Sequence, residues 1–242
     1  MAGLNYVDAV RVAIDGIADA ATDNLDARVE HCPDFDVAAL VVHTGGFAGR
    51  LAAIISDREE WDPSPAWRTP SAELVGPDPI AWHRRNGADL VEAMTHGDLE
   101  RVAPTWAGDR PHSFWHRRAA QELAVHWWDA EHARGHDLDI DAPLAVDGID
   151  EYLFEFAPRF GAAFGGTGEV LAFVADDQDA AFTVTVDDER VTATRAPADA
   201  DVTARGSAAD VLLFLWGRVP PTALHATGRA ELLQAWQARV RF

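Results

Sequence analysis

Glu122 and His126 stand four residues apart in Arg118-Ala119-Ala120-Gln121-Glu122-Leu123-Ala124-Val125-His126-Trp127-Trp128-Asp129, a run with the apolar spacing of an amphipathic helix. At about 100° per residue the two side chains project within about 40° of each other. Trp115, Ala119 and Asp129 fall in the same stripe, so this face is expected to look inward. A carboxylate and an imidazole are then buried side by side. An unpaired buried charge is costly or neutralises itself, which leaves a bound cation or a tight acid–base pair as the chemistry of the two.

A third donor has to come from the inward face of another helix, because bundles build metal sites from facing helices. His43 meets that condition: it follows Val37, Leu40, Val41 and Val42, and Gly45-Gly46 just after it would let a backbone or a ligand approach closely. Two imidazole nitrogens and one carboxylate oxygen suit zinc or a similar divalent ion, with an open position of the kind catalytic sites keep. Asp129 is placed to orient an imidazole from behind. The competing reading is an ordinary helix contact with a histidine bonded to a carbonyl. Of the other histidines at four-residue spacing, His112/His116 and His132/His136, the sequence places both pairs toward solvent. Trp127 and Trp128 are candidates to line a pocket, and Cys32 reads as a buried thiol.

The elements that position these residues follow from periodicity and punctuation. Residues 4–29 read as a first helix, and Asp36 caps a second from Val37 to Ser56. Asp62 to Pro79 is a proline-rich loop packed through Trp61 and Trp67. A third helix covers Ile80 to Thr95 and a fourth Ser113 to Arg134, with Gly97 and Gly135 suited to the left-handed position after each. A fifth begins near Asp147. Thereafter the period changes: Val170 to Val174 is a buried strand, Phe182 to Val186 alternates, and Asp187 to Arg190 turns into Val191 to Thr194. A strand from Asp201 to Arg205 leads to a Ser207-capped helix, Val211 to Trp216, stopped by Gly217. The fold class is α+β, with a helical bundle over residues 1–164 and a small α+β domain over 165–242.

The composition narrows the partners. Twenty basic residues, all Arg, against forty acidic ones give a net charge of −20, so no basic patch exists for nucleic acid or for an anionic membrane surface. A single cysteine rules out an internal disulfide and a thiolate-only metal site. No signal segment and no run of about 18 apolar residues is legible, and a cytoplasmic protein is expected.

His43 in Cys32-Pro33-Asp34-Phe35-Asp36-Val37-Ala38-Ala39-Leu40-Val41-Val42-His43, Glu122 with His126, and Asp147-Gly148-Ile149-Asp150-Glu151 together resemble the mycothiol-dependent maleylpyruvate isomerase family. The segment from Asp201 to Arg218 is similar to its C-terminal domain. The resemblance covers nearly the whole chain. It departs at Phe35, where Trp is common, and at Gln121, where His often precedes the ligand Glu. It implies a DinB-like metal-binding four-helix bundle followed by a sterol-carrier-like domain, with His43, Glu122 and His126 as metal ligands. It also implies mycothiol as thiol cofactor, an electrophilic small molecule as substrate, and an actinobacterial cytoplasm. In that setting the ion's open position binds the mycothiol sulfur, and the resulting thiolate adds to an electron-poor double bond. Rotation and elimination give an isomerase; release of the adduct gives a mycothiol S-transferase. A module that merely binds a lipid-like ligand around a structural metal is the non-catalytic reading. An anionic substrate needs a cation for its carboxylate, and in so acidic a chain that cation is an Arg: Arg218 first, Arg205 second.

Overall fold

The computed structural model describes residues 3–62, 72–160 and 166–239. The chain divides into two compact units, Met1–Leu138 and Asp139–Phe242.

The first unit is built on four long helices. Helix α1 (Tyr6–Ala21) is capped by Asn5, whose side chain accepts from Asp8 N, and it ends at Thr22 and at Asp23, whose φ of 60° breaks the helical path. The expected helix over residues 4–29 therefore stops eight residues early, where the run of buried apolar positions also stops. Residues 22–36 form an ordered loop in which Val29 N donates to Phe35 O (3.1 Å) and Val37 N to Ala27 O (2.9 Å). Helix α2 (Val37–Ile55) starts at the expected cap, Asp36 Oδ1 accepting from Ala39 N at 2.8 Å. It is long and apolar enough to cross a membrane, yet Leu40, Val41, Ala48 and Leu51 are buried against the rest of the unit, the burial of a core helix.

A single turn, α3 (Ala72–Val75), precedes α4 (Pro79–His96), which has Asp78 as cap and Pro79 at its start. Half of the expected loop from Asp62 to Pro79, Trp67 included, lies outside the described residues. A short antiparallel hairpin, β1 (Val102–Thr105) and β2 (Gly108–Pro111), then leads into α5 (His112–His132). The hairpin was not legible in the sequence. The residues just before it have a structural use: α5 has no side-chain cap, and its first N–H groups donate instead to Arg101 O and Leu99 O at 2.8 and 3.0 Å. In the four-helix bundle α2 packs on α4, α4 on α1, α1 on α5 and α5 on α2.

Close approach explains two glycines that the sequence assigned otherwise. A Cβ on Gly45 would lie 2.6 Å from the Trp82 ring and 3.0 Å from His83 Cα, so this glycine serves the α2–α4 contact rather than access to a ligand. Gly97 follows α4 with an extended φ of −69° instead of the expected left-handed one, and a Cβ there would meet Ala93 O and Ile55 at 2.7 Å. Gly135, with φ of 77°, does take the left-handed conformation.

The second unit begins with α6 (Ala142–Glu151), which continues through one π turn (Tyr152–Phe156) and one 3-10 turn (Ala157–Phe160). Helix α6 packs on α7 (Ala208–Leu215) and belongs with the C-terminal unit, whereas the sequence reading counted it with the bundle. The sheet has the order β5-β4-β3-β6-β7, from β3 (Glu169–Ala175), β4 (Ala180–Val186), β5 (Val191–Thr194), β6 (Val202–Gly206) and β7 (His225–Gly228). Only the central pair β3/β6 is parallel, in the register Leu171↔Val202 and Phe173↔Ala204. Phe173 meets Phe214 of α7 and Trp236 of α8 (Glu231–Arg239) at ring-centre distances of 6.1 and 5.7 Å, which closes the core. Ser207 caps α7 by accepting from Asp210 N, and Gly217, at φ of 74°, ends it as expected.

The tight α2–α4 contact makes a prediction. Gly45→Val is expected to lower stability by about 3 kcal/mol through overpacking against Trp82 and the α4 backbone, read as an earlier midpoint in urea unfolding followed by tryptophan fluorescence.

Candidate metal centre

Helices α2 and α5 bring His43, Glu122 and His126 together. Glu122 Oε1 lies 3.1 Å from His43 Nε2 and 3.4 Å from His126 Nε2, and the three donor atoms lie within 4.8 Å of one another. The two imidazoles meet edge to face, centres 5.0 Å apart at 76°. Behind them, His126 Nδ1 is 2.9 Å from Asp129 Oδ2. With a divalent ion bound, a proton kept on Nδ1 and donated to that carboxylate would leave the Nε2 lone pair for the ion. Asp129 thus engages the nitrogen opposite the cluster. The donor set fits a divalent ion of the zinc type: two nitrogens, one carboxylate oxygen and an oriented tautomer.

One partner escaped the sequence reading. Arg118, buried at 3% exposure, donates from Nη2 to Glu122 Oε2 at 2.8 Å. It sits one turn before Glu122 as Glu122 sits one turn before His126, so the signal was an Arg-x-x-x-Glu-x-x-x-His spacing on a single face. Glu122 therefore offers one oxygen to the imidazoles while the other is tied down. Cys32 is the second unforeseen neighbour: its Sγ lies 3.8 Å from Asp129 Oδ2, so the half-buried thiol faces the group that orients His126.

Burial is graded across the site. Asp129 and Arg118 are enclosed, whereas the His43 and Glu122 side chains keep about a quarter of their surface open, at 24% and 22%. The cluster is thus reached from the His43/Glu122 side.

Other residues named from the sequence have surroundings of their own. His112 and His116 are buried, at 0% and 4% exposure, and not solvated as expected; burial pushes the His116 imidazole down to about 4. Trp127 packs over Gly16 of α1. Trp128 carries His132, stacked at 4.6 Å. In the C-terminal unit, Arg218 is buried and donates to Trp216 O at 2.8 Å, and Arg205 pairs with Asp176 at the surface.

The electrostatics of the cluster follow from this geometry. Burial works against ionisation of Glu122, but Arg118 and the two imidazoles outweigh it and hold the carboxyl well below the usual range. Burial also opposes the His126 cation, and the Asp129 and Glu122 carboxylates overcome it, raising His126 from 6.5 to about 9. Without a cation, the cluster is an ionised carboxylate facing an imidazolium at neutral pH.

The sign of the pH dependence is then fixed. The folded-state value of His126 is raised, so its contribution is complete below pH 6.5 and is lost as pH rises through about 9. In chelator-treated protein the folding free energy is expected to fall by roughly 3 kcal/mol between pH 6.5 and 9.5, measured by urea unfolding at both pH values. His126→Gln should abolish most of this slope.

Comparisons with known proteins agree with this architecture. The family model described as the mycothiol maleylpyruvate isomerase N-terminal domain matches residues 7–131, and that described as the MDMPI C-terminal domain matches residues 143–235. A search of curated proteins finds no match. Among solved structures, the crystal structure of the mycothiol-dependent maleylpyruvate isomerase superposes with a TM-score of 0.63 at 14% identity, over 92% of this chain and 91% of that one. A histidine-to-alanine mutant of that isomerase superposes with a TM-score of 0.64 at the same identity and coverage. The two family models meet the chain where it divides into units and together span most of its length, and the chain therefore belongs to the mycothiol-dependent maleylpyruvate isomerase family.

Proposed function

We propose that the protein is a cytoplasmic enzyme dependent on mycothiol and a divalent metal, with His43, Glu122 and His126 as ligands. Its reaction is addition of the thiol to an electron-poor double bond, as in cis–trans isomerisation of maleylpyruvate. The observation that carries this reading is the convergence of His43 Nε2, Glu122 Oε1 and His126 Nε2 at an accessible edge, with Asp129 engaged on the opposite nitrogen of His126. A structural ion normally has four protein ligands. Here the carboxylate best placed to be the fourth is turned to His126 Nδ1, which favours an open position over a closed one.

A divalent ion bound at such a site lowers the pKa of a coordinated thiol, so that a thiolate is present at neutral pH. The chain's own residues make that possible. Arg118 keeps Glu122 ionised, and with the ion bound Asp129 would hold the His126 proton on Nδ1, leaving Nε2 to the ion. Addition of a thiolate to a cis-enedioic acid leaves a single bond free to rotate and builds up negative charge on the carbonyl oxygen. Arg218 is the residue assigned to a substrate carboxylate. A guanidinium suits that role because it stays charged and grips both carboxylate oxygens.

Elemental analysis of the purified protein is expected to find the metal, and His126→Ala to lose it with the fold intact, because removing one of three ligands weakens such a site steeply. Full occupancy in that variant would overturn the ligand set. Activity is expected only with mycothiol present, on maleylpyruvate or a related cis-enedioic acid; accumulation of a stable thioether adduct would identify an S-transferase instead. Arg218→Ala should lower kcat/KM on a carboxylate substrate by about 2–4 kcal/mol of transition-state stabilisation, with metal content unchanged. Unchanged turnover would remove Arg218 from the site.

A further inference from the structure

The second helical pair of histidines, His132 and His136, is separated by the fold. His136 Nδ1 lies 3.2 Å from Glu131 Oε2. His132 instead meets Glu30 and His31, which come from the loop between α1 and α2. Its Nε2 lies 3.4 Å from Glu30 Oε2, its ring centre is 5.4 Å from that of His31, and one donor atom from each of the three falls within 4.8 Å of the others.

The cluster is braced. Trp128, buried at 6% exposure, stacks on His132 with centres 4.6 Å apart and planes at 11°, and lies 5.8 Å from the His31 ring. One rigid indole therefore holds His132 in place and borders His31, so part of the ordering cost of a ligand site is already met.

As an arrangement without a cation, the cluster gains little. The His132 and Glu30 side chains are 33% and 72% exposed, and an exposed pair of that kind contributes about 0–1 kcal/mol. Two imidazoles this close also repel if both are protonated. Two nitrogens and a carboxylate oxygen about one point are, however, a donor set for a borderline divalent cation.

We propose that Glu30, His31 and His132 form a second divalent-cation site, of the zinc or cobalt type, separate from His43, Glu122 and His126. A cation there ties the loop of residues 22–36 to the C-terminal end of α5. The same loop carries Cys32, next in sequence to His31, whose thiol faces the Asp129 carboxylate. The outer ion is thus a brace on the segment that borders the inner cluster, and it needs no substrate.

The full chain, stripped by a chelator and titrated with Zn2+ by calorimetry, is expected to bind two equivalents. The double variant His31→Asn/His132→Asn should bind one, with its circular dichroism and the activity of the inner site unchanged. The double variant His43→Asn/His126→Asn should also bind one, and Zn2+ should still raise its melting midpoint through the outer site. A single equivalent in the unsubstituted chain, or a second equivalent that survives His31→Asn/His132→Asn, would overturn the proposal. If the His43→Asn/His126→Asn variant kept both equivalents while the outer-site variant lost one, the outer site would stand and the inner ligand set would fail.

Discussion

The ionised carboxylate of Glu122 is the constraint around which the helical unit is arranged. A carboxylate that is four-fifths covered has to be matched by positive charge and donors. Arg118 takes one oxygen and the two imidazoles face the other. Arg118 is itself more enclosed than its partner, so each charge depends on the other remaining in place. This pairing makes α5 polar along a stripe that would otherwise be core, and helix propensity alone gives no reason for it. The stripe runs Arg118, Glu122, His126, Asp129, one turn apart, alternating in the charge that each group carries or accepts.

The rest of the bundle serves to hold α5 at a fixed rotation and height. The segment just before the β1–β2 hairpin supplies the Leu99 and Arg101 carbonyls to the first turn of α5, where no side-chain cap is available. Helix α2 is brought close to α4 by Gly45 lying under Trp82, and the same helix presents His43 from α2 to Glu122. Site and packing are thus linked through one helix: a shift of α2 away from α4 is also a shift of His43 relative to α5. The loop of residues 22–36 completes the surround, placing Phe35 beside His43 and Cys32 beside Asp129.

The legible and illegible parts of this structure separate by the distance over which their causes act. The cap at Asp36, the ends at Gly135 and Gly217, and the alternating strand β4 were readable because a local hydrogen bond, a positive φ or a period of two decides them. The end of α1 was misjudged, since residues 22–29 carry no glycine or proline to mark a stop; backbone bonds from Val29 and Val37 back across the loop decide it. The burial of His112 and His116 was misjudged for a related reason. They stand at the edge of the inward face, and the hairpin that precedes them was not visible in its sequence Val102-Ala103-Pro104-Thr105, where proline argues against a strand.

By itself the sequence determined that α5 carries a carboxylate and an imidazole on one face, because a helical repeat of 3.6 residues leaves no other arrangement for positions four apart. It also determined the α+β order of the elements and, by residue type, that His43 was a fit third donor. Tertiary structure alone decided that His43 Nε2 meets Glu122 Oε1 and that His132 finds Glu30 and His31 rather than His136. The reason is that covalent spacing fixes direction only along one helix. Meetings between residues 79 or 101 positions apart are set by how helices and loops pack, and no local preference in the chain encodes them.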